Sequence, residues 1–145
     1  MEKWANGFDI EAEGCNVDDT AVQQCLAFFA ARKGLKPYRT EWRIFDEDID
    51  LAGSIDLLCV DEGDADKSTT TKSKKPPASP RFVMVDYKRT KALETKGRGK
   101  GVGPCAALSD TNTNHYYVQQ NLYRHILERK YGIIVDEMVM RVPAE

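Results

Sequence analysis

The chain has 145 residues, enough for one domain around one core. Its apolar fraction of 41% supports such a core, and its 30% charged residues suit an aqueous surface. With 21 basic against 23 acidic residues, the net charge of −2 excludes a generally basic nucleic-acid binder, though not a local basic patch.

No signal peptide is recognisable, and the longest apolar runs fall far short of the ~20 residues a spanning helix needs, so no membrane partner is expected. Cys15, Cys25, Cys59 and Cys105 are scattered and form no CxxC pair. Together with His115 and His125 they make no zinc pattern. They read as reduced, mostly structural thiols, which points to an intracellular protein, nuclear or cytoplasmic. The chain ends soon after an expected last strand, which leaves room for further domains of a longer protein or for a homo-oligomer.

Residues 1–17 show weak periodicity and read as a lead-in. After the N-cap candidates Asp18 and Asp19, Val22, Cys25, Leu26 and Phe29 recur at helical spacing. Gly34 is a natural stop, and Pro37 should break any continuation. In TEWRIF, alternation about Trp42 and Ile44 predicts a strand. DEDID is a polar turn, and Leu51–Val60 a mostly buried second strand, giving a hairpin over 41–60. Gly53 inside that strand marks a bend or a close backbone approach.

Residues 61–80 hold no large apolar side chain and predict a flexible insertion joining two strands. The KSKK within it reads as solvated loop rather than a localisation signal. RFVMVDYK is the third strand, and residues 89–113 a long glycine-containing loop. NHYYVQQNLYRHILERKYG is an amphipathic helix. Leu122, Tyr123, Ile126, Leu127 and Tyr131 form its apolar face, Arg124, Glu128 and Arg129 face out, and Gly132 stops it. IIVDEMVMRV is a last strand.

Chemistry concentrates in the strands. Residues i and i+2 share a strand face, so Asp86 and Lys88 are neighbours. Asp56 interrupts an apolar run on the strand before, and Glu41 interrupts the first strand. Three carboxylates brought together would repel one another unless a hard divalent cation joined them. Mg2+, which Mn2+ could replace, suits two carboxylates, the Tyr87 backbone carbonyl and remaining water positions. Such an ion lowers the pKa of bound water. Lys88 could orient that water or stabilise negative charge building up on a phosphate.

RTEWRIFDEDIDLAGSIDLL, VMVDYKRTK and HYYVQQNLYRHILERKYG together resemble the PD-(D/E)XK nuclease superfamily, in its lambda-exonuclease and RecB-like branch. The resemblance spans most of residues 39–132. It rests on an acidic residue, G-x-x-D, D-x-K and Q-x-x-x-Y in that order. It implies an α/β fold with a restriction-endonuclease-like core: helix, three-stranded meander, helix and strand around a mixed central sheet. It further implies that Asp56 and Asp86 ligate the metal, that Lys88 is catalytic, and that Glu41 holds a metal or a water. Gln119 and Tyr123 would form the branch's extra motif, on one helical face by their i, i+4 spacing. Gln120 is the nearby alternative, with a spacing to Tyr123 that fits less well. The proline of the superfamily's name is absent, since Ser54 and Ile55 precede Asp56.

The expectation is thus a single nuclease domain over 1–145, with its insertion at 61–80, that hydrolyses DNA with Mg2+. Whether it acts as exonuclease or endonuclease, and in repair or elsewhere, is left open. The alternative is a catalytically silent nucleic-acid-binding or protein-interaction module on the same fold. Arg89, Lys91, Lys96, Arg98 and Lys100, in a loop that ends GRGKGVG, suit phosphate contacts. His115 could contact phosphate or cap a turn. Trp42, Tyr116 and Tyr117 could stack on bases, although packing is the expected task of each.

Overall fold

Two helices and four strands follow one another in a computed structural model of the chain, which describes residues 5–7, 16, 18–63, 80–88, 90, 92–97 and 99–142. The order is α1 (Thr20–Ala31), β1 (Leu35–Asp46), β2 (Leu51–Asp61), β3 (Arg81–Tyr87), a short 3-10 turn (Gly103–Cys105), α2 (Asn112–Lys130) and β4 (Val135–Arg141). The strands form one mixed sheet in the order β1-β2-β3-β4. β1 to β3 are antiparallel neighbours, and β4 returns parallel to β3 after α2. The fold is therefore α/β. The 61–80 insertion lies almost wholly outside the described residues, as do Cys15 and the KSKK stretch.

Alternation along β3 divides the core. Val83 and Val85 join Cys25 and Phe29 of α1, with Leu35, Leu57 and Cys59, on one face of the sheet. Met84 joins Ile126 and Leu127 of α2, with Ile44, Ile55, Leu58 and Val135, on the other. The sheet is thus sandwiched between the helices, and each fully buried Leu or Ile contributes about 1.5–3 kcal/mol. Cys25, Cys59 and Cys105 are free thiols. Burial pushes the Cys59 thiol up to about 12, which suits packing rather than reactivity.

Helix α1 starts where expected, since Asp19 accepts a 2.8 Å bond from the Ala21 amide. It ends at Ala31, earlier than Gly34 would place it. Gly34 instead lets the chain pass against Gly63, where a Cβ would sit 2.5 Å from the Gly63 oxygen. Pro37 lies beyond the helix, as expected, and inside β1, which starts at Leu35, ahead of the strand expected from TEWRIF. β1 is an edge strand with a register shift between Pro37 and Arg39, a place where a missing amide is tolerated. In α2, Leu122 is more exposed than its place on the apolar stripe implies, while Ile126 and Leu127 are fully buried. Gly132 follows the helix at φ 65°.

The β1–β2 turn is tied to the C-terminal end of α2. Lys130 Nζ lies 3.0 Å from Glu47 and 2.8 Å from Asp48, and Arg129 bonds Asp48 at 2.9 Å. Asp46, fully buried, faces both cations at 3.3 and 3.5 Å. Two cations in the last helical turn also oppose the helix dipole. Hydrogen bonding within the turn and to Lys130 holds the Glu47 carboxyl below its ordinary range, and Lys130 does the same to Asp48. Depressed carboxyls add stability above their unfolded pKa values, and lose it as pH falls through the folded ones. Lys130→Ala is therefore expected to lower Tm at pH 7, with the deficit shrinking below pH 4 and in high salt. Thermal melts from pH 3 to pH 7 would check this, and a deficit independent of pH would contradict it.

Candidate active site

At one end of the sheet, β2 and β3 part company. Their ladder runs from Asp61–Arg81 to Leu57–Val85 and stops. One residue further, the Asp56 side chain takes over: its Oδ2 accepts a 2.8 Å bond from the Tyr87 amide. The face pattern of β2 changes at the same point, because Ile55 packs towards α2 and Leu57 towards α1. Across the β1–β2 ladder, Glu41 lies between the pairs Thr40–Leu57 and Trp42–Ile55 and has φ 45°. A non-glycine residue there has a strained backbone, by about 1–2 kcal/mol.

The strain at Glu41 makes a test. Glu41→Gly is expected to raise stability by up to about 1 kcal/mol, the relief being partly offset by the greater entropy glycine loses on folding. Glu41→Ala keeps the strain and should give no gain. Denaturant titration of both variants separates the backbone effect from loss of the carboxylate.

Asp86 follows Met84 by two residues and so faces α2. It is 6% exposed. Burial pushes its carboxyl above the ordinary carboxylate range; Lys88 opposes that shift, the nearby Asp56 charge adds to it, and Gln120 opposes it. Lys88 Nζ lies 3.0 Å from Asp86 Oδ2 and donates a 2.9 Å bond to Gln119 Oε1. An ammonium only donates, so the Gln119 oxygen must face Lys88 and its nitrogen must face away. That nitrogen donates to Tyr123 Oη at 2.9 Å. The ring of Tyr116 lies 4.9 Å from Lys88 Nζ, a cation–π contact. Asp86, Lys88, Gln119 and Tyr123 thus form one chain of contacts from β3 to α2.

Tyr123 fits because Gly53 has no side chain. A Cβ on Gly53 would lie 2.1 Å from Tyr123 Cε1 and 2.7 Å from its hydroxyl. The close approach expected at Gly53 is that of the Tyr123 ring.

Gln120 has a place of its own. It is 3% exposed and faces Asp86, yet Gln120 Nε2 and Asp86 Oδ2 are both buried without a well-formed hydrogen bond. The i, i+4 rule picks Gln119, and no spacing rule singles out Gln120. Adjacent glutamines project about 100° apart on a helix, so one reaches Lys88 and the other reaches Asp86.

The carboxylates that could hold a hard cation are Asp56 and Asp86, whose charges act on one another, with Asp86 Oδ2 already facing the Lys88 ammonium at 3.0 Å. Mg2+ is often bound by only one or two carboxylates plus water. Glu41 stands across the ladder with an exposed side chain. Among the described residues, no group of three or more His, Cys, Asp or Glu is gathered to hold a metal ion.

Arg89, Lys91 and Arg98 lie outside the described residues, while Lys96 and Lys100 are exposed. His115 is exposed in the first turn of α2 and contacts Asp110 at 2.7 Å. Trp42 packs edge-on against Tyr131 with ring centres 5.0 Å apart, as a packing residue should. Tyr117, by contrast, is half exposed. His125 is exposed, as its position on the polar side of the helix implies.

No protein-family model matches the chain, and no curated protein or solved structure is found similar to it. No helix among the described residues is long and apolar enough to cross a membrane. The chain is an α/β fold with Asp56, Asp86 and Lys88 near one another where the β2–β3 ladder ends.

Proposed function

We propose that this chain is a metal-dependent nuclease of the PD-(D/E)XK type, with a restriction-endonuclease-like core, hydrolysing DNA phosphodiester bonds. The observation that carries the reading is the unbroken set of contacts from Asp86 through Lys88 and Gln119 to Tyr123, with Asp56 beside Asp86. Local sequence does not force these residues together. They come from two strands and a helix and meet where the β2–β3 ladder ends.

In this reading Asp56 and Asp86 would hold Mg2+ or Mn2+ with the Tyr87 carbonyl as a further oxygen ligand, and Glu41, across the ladder, would hold a water rather than the ion. When bound, such an ion supplies a water of lowered pKa and positive charge at the phosphate. The chain's own residues do the rest. Lys88 places an ammonium beside the attacked phosphate, where negative charge builds up. Gln119 fixes the ammonium's position, because its amide is itself fixed by Tyr123. Gln120 is the buried amide that faces the Asp86 carboxyl. Phosphate contacts fall to Lys96, Lys100 and the basic residues around them. The free thiols suit an intracellular setting.

A silent binding module on the same fold is the second reading. Its support is that Lys88 is already paired with Asp86, and that no third carboxylate joins Asp56 and Asp86 among the described residues. Incubating the purified chain with labelled linear, circular and single-stranded DNA, and with RNA, separates the two. The nuclease requires cleavage that depends on Mg2+ or Mn2+ and stops with a chelator. Tight binding to DNA with every substrate left intact would establish the silent module.

A further inference from the structure

Beside the Lys88–Gln119–Tyr123 contacts lies a cavity of about 650 Å³. Gln119 and Tyr123 belong to both: Gln119 accepts from Lys88 and donates to the Tyr123 hydroxyl, and both residues line the cavity. Its apolar lining comes from Val102 and Leu108 of the loop, Val118 and Leu122 of α2, and Leu51 of β2. The exposure of Leu122, odd for a residue on the apolar stripe, follows from its place in this lining.

The loop wall is built, not loose. Gly101 donates to the Leu108 carbonyl at 2.9 Å, Asp110 donates to the Gly99 carbonyl at 3.0 Å, and Lys100 pairs with Ser109 in an isolated bridge. Gly97 and Gly101 run so close to the chain returning at Asp110 and Cys105 that a Cβ would sit within 2.3 Å of their carbonyl oxygens. The loop is anchored to α2 as well, since Asn114 Nδ2 donates to the Ser109 carbonyl at 2.8 Å. At the rim stand Lys100, Asn114 and the paired His115 and Asp110.

Resting on the nuclease reading, we infer that this cavity receives one unpaired nucleobase of the strand being cut, next to the scissile phosphate. A base offers two apolar faces and a polar edge. The cavity offers apolar side chains from loop and helix and the Tyr123 ring, with the Asn114 amide oxygen and the Ser109 hydroxyl among its polar lining. It adjoins Lys88 through shared residues, so a nucleotide with its phosphate at Lys88 has its base within reach. Lys100 at the rim is placed for the neighbouring phosphate. A base paired in a duplex cannot enter such a pocket without leaving its stack. The substrate class is therefore single-stranded or frayed DNA.

The test uses the full chain with Mg2+, a labelled single-stranded oligonucleotide, and the same oligonucleotide with one abasic residue on either side of a mapped cut. Removing the base that enters the cavity should slow cleavage of that bond about tenfold, the usual scale of one lost base contact. Val118→Arg, which fills the cavity, should slow the intact oligonucleotide equally and leave the abasic one unaffected. A melting curve confirms that the variant is folded. If it is not, the abasic substrate alone decides. Metal-dependent cleavage insensitive to the abasic residue, and equally fast on blunt duplex, overturns the cavity's role and leaves the nuclease standing. No metal-dependent cleavage of any substrate overturns the nuclease reading, and the base pocket with it.

Discussion

Replacing Asp86 by asparagine is expected to abolish metal-dependent cleavage, by roughly a thousandfold or more, and to leave the fold at least as stable as before. The two effects have one cause. Asp86 is a buried carboxylate whose desolvation outweighs the help it receives from Lys88, so its carboxyl titrates above the ordinary 3.8. A group with a raised folded pKa binds its proton more tightly in the native state. Its contribution to stability is complete below about pH 3.8 and is lost as pH rises through the folded pKa. At neutral pH the ionised carboxylate therefore costs stability, and asparagine removes that cost while keeping the shape. Lys88 keeps its bond to Gln119 and its contact with the Tyr116 ring. The Tm advantage of the asparagine variant should be largest at neutral pH and shrink on acidification. On the proposed reading, added Mg2+ should raise Tm in the wild type and not in the variant, because only the wild type keeps both proposed ligand carboxylates. A variant that melts well below wild type at pH 7, with or without metal, would make Asp86 a structural ion-pair partner. Unchanged cleavage would remove it from the mechanism.

The sequence carried much of this arrangement and hid specific parts of it. The Asp19 cap, the hairpin turn, the two aliphatic strands and α2 were legible because each is a local pattern: a capping oxygen, a polar break, an apolar run, a 3.6-residue period. Asp86 and Lys88 on one side of β3 followed from alternation alone. What local patterns could not convey is where a strand departs from its own rule. Pro37 rules out a continuing helix, as it should, but does not reveal that it sits inside an edge strand, whose outer side needs no amide. Alternation in β2 would put Ile55 and Leu57 on one face, whereas the switch at Asp56 sends them to opposite faces. That switch frees the Asp56 carboxylate to close the ladder onto Tyr87. Gln120 was legible only as the weaker alternative to Gln119, because its place depends on what β3 presents to it. The cavity wall escaped because its loop is shaped by backbone bonds and glycine contacts, which leave only a glycine-rich composition to read.

Gly53→Ala should be nearly as damaging to activity as loss of a site residue, although Gly53 itself contacts no substrate. Its effect would pass through Tyr123. The added methyl would sit 2.1 Å from the ring, far inside van der Waals contact, so the ring must move. Overpacking of this kind costs about 1–3 kcal/mol of stability. When Tyr123 moves, Gln119 loses the partner that orients its amide, and Lys88 loses its fixed position. Misplacing a catalytic group by about 1 Å can cost about 100-fold in rate. Tyr123→Phe isolates the second link, since it keeps the ring and removes only the hydroxyl that Gln119 uses. It should fold normally and show a smaller fall in kcat with KM little changed. The double variant Gly53→Ala, Tyr123→Leu tells a positioning role from a packing role, because leucine gives the methyl room. Stability should return while activity stays low. If activity returns along with stability, the Tyr123 hydroxyl does not position Lys88, and Gly53 serves only to let α2 pack against β2.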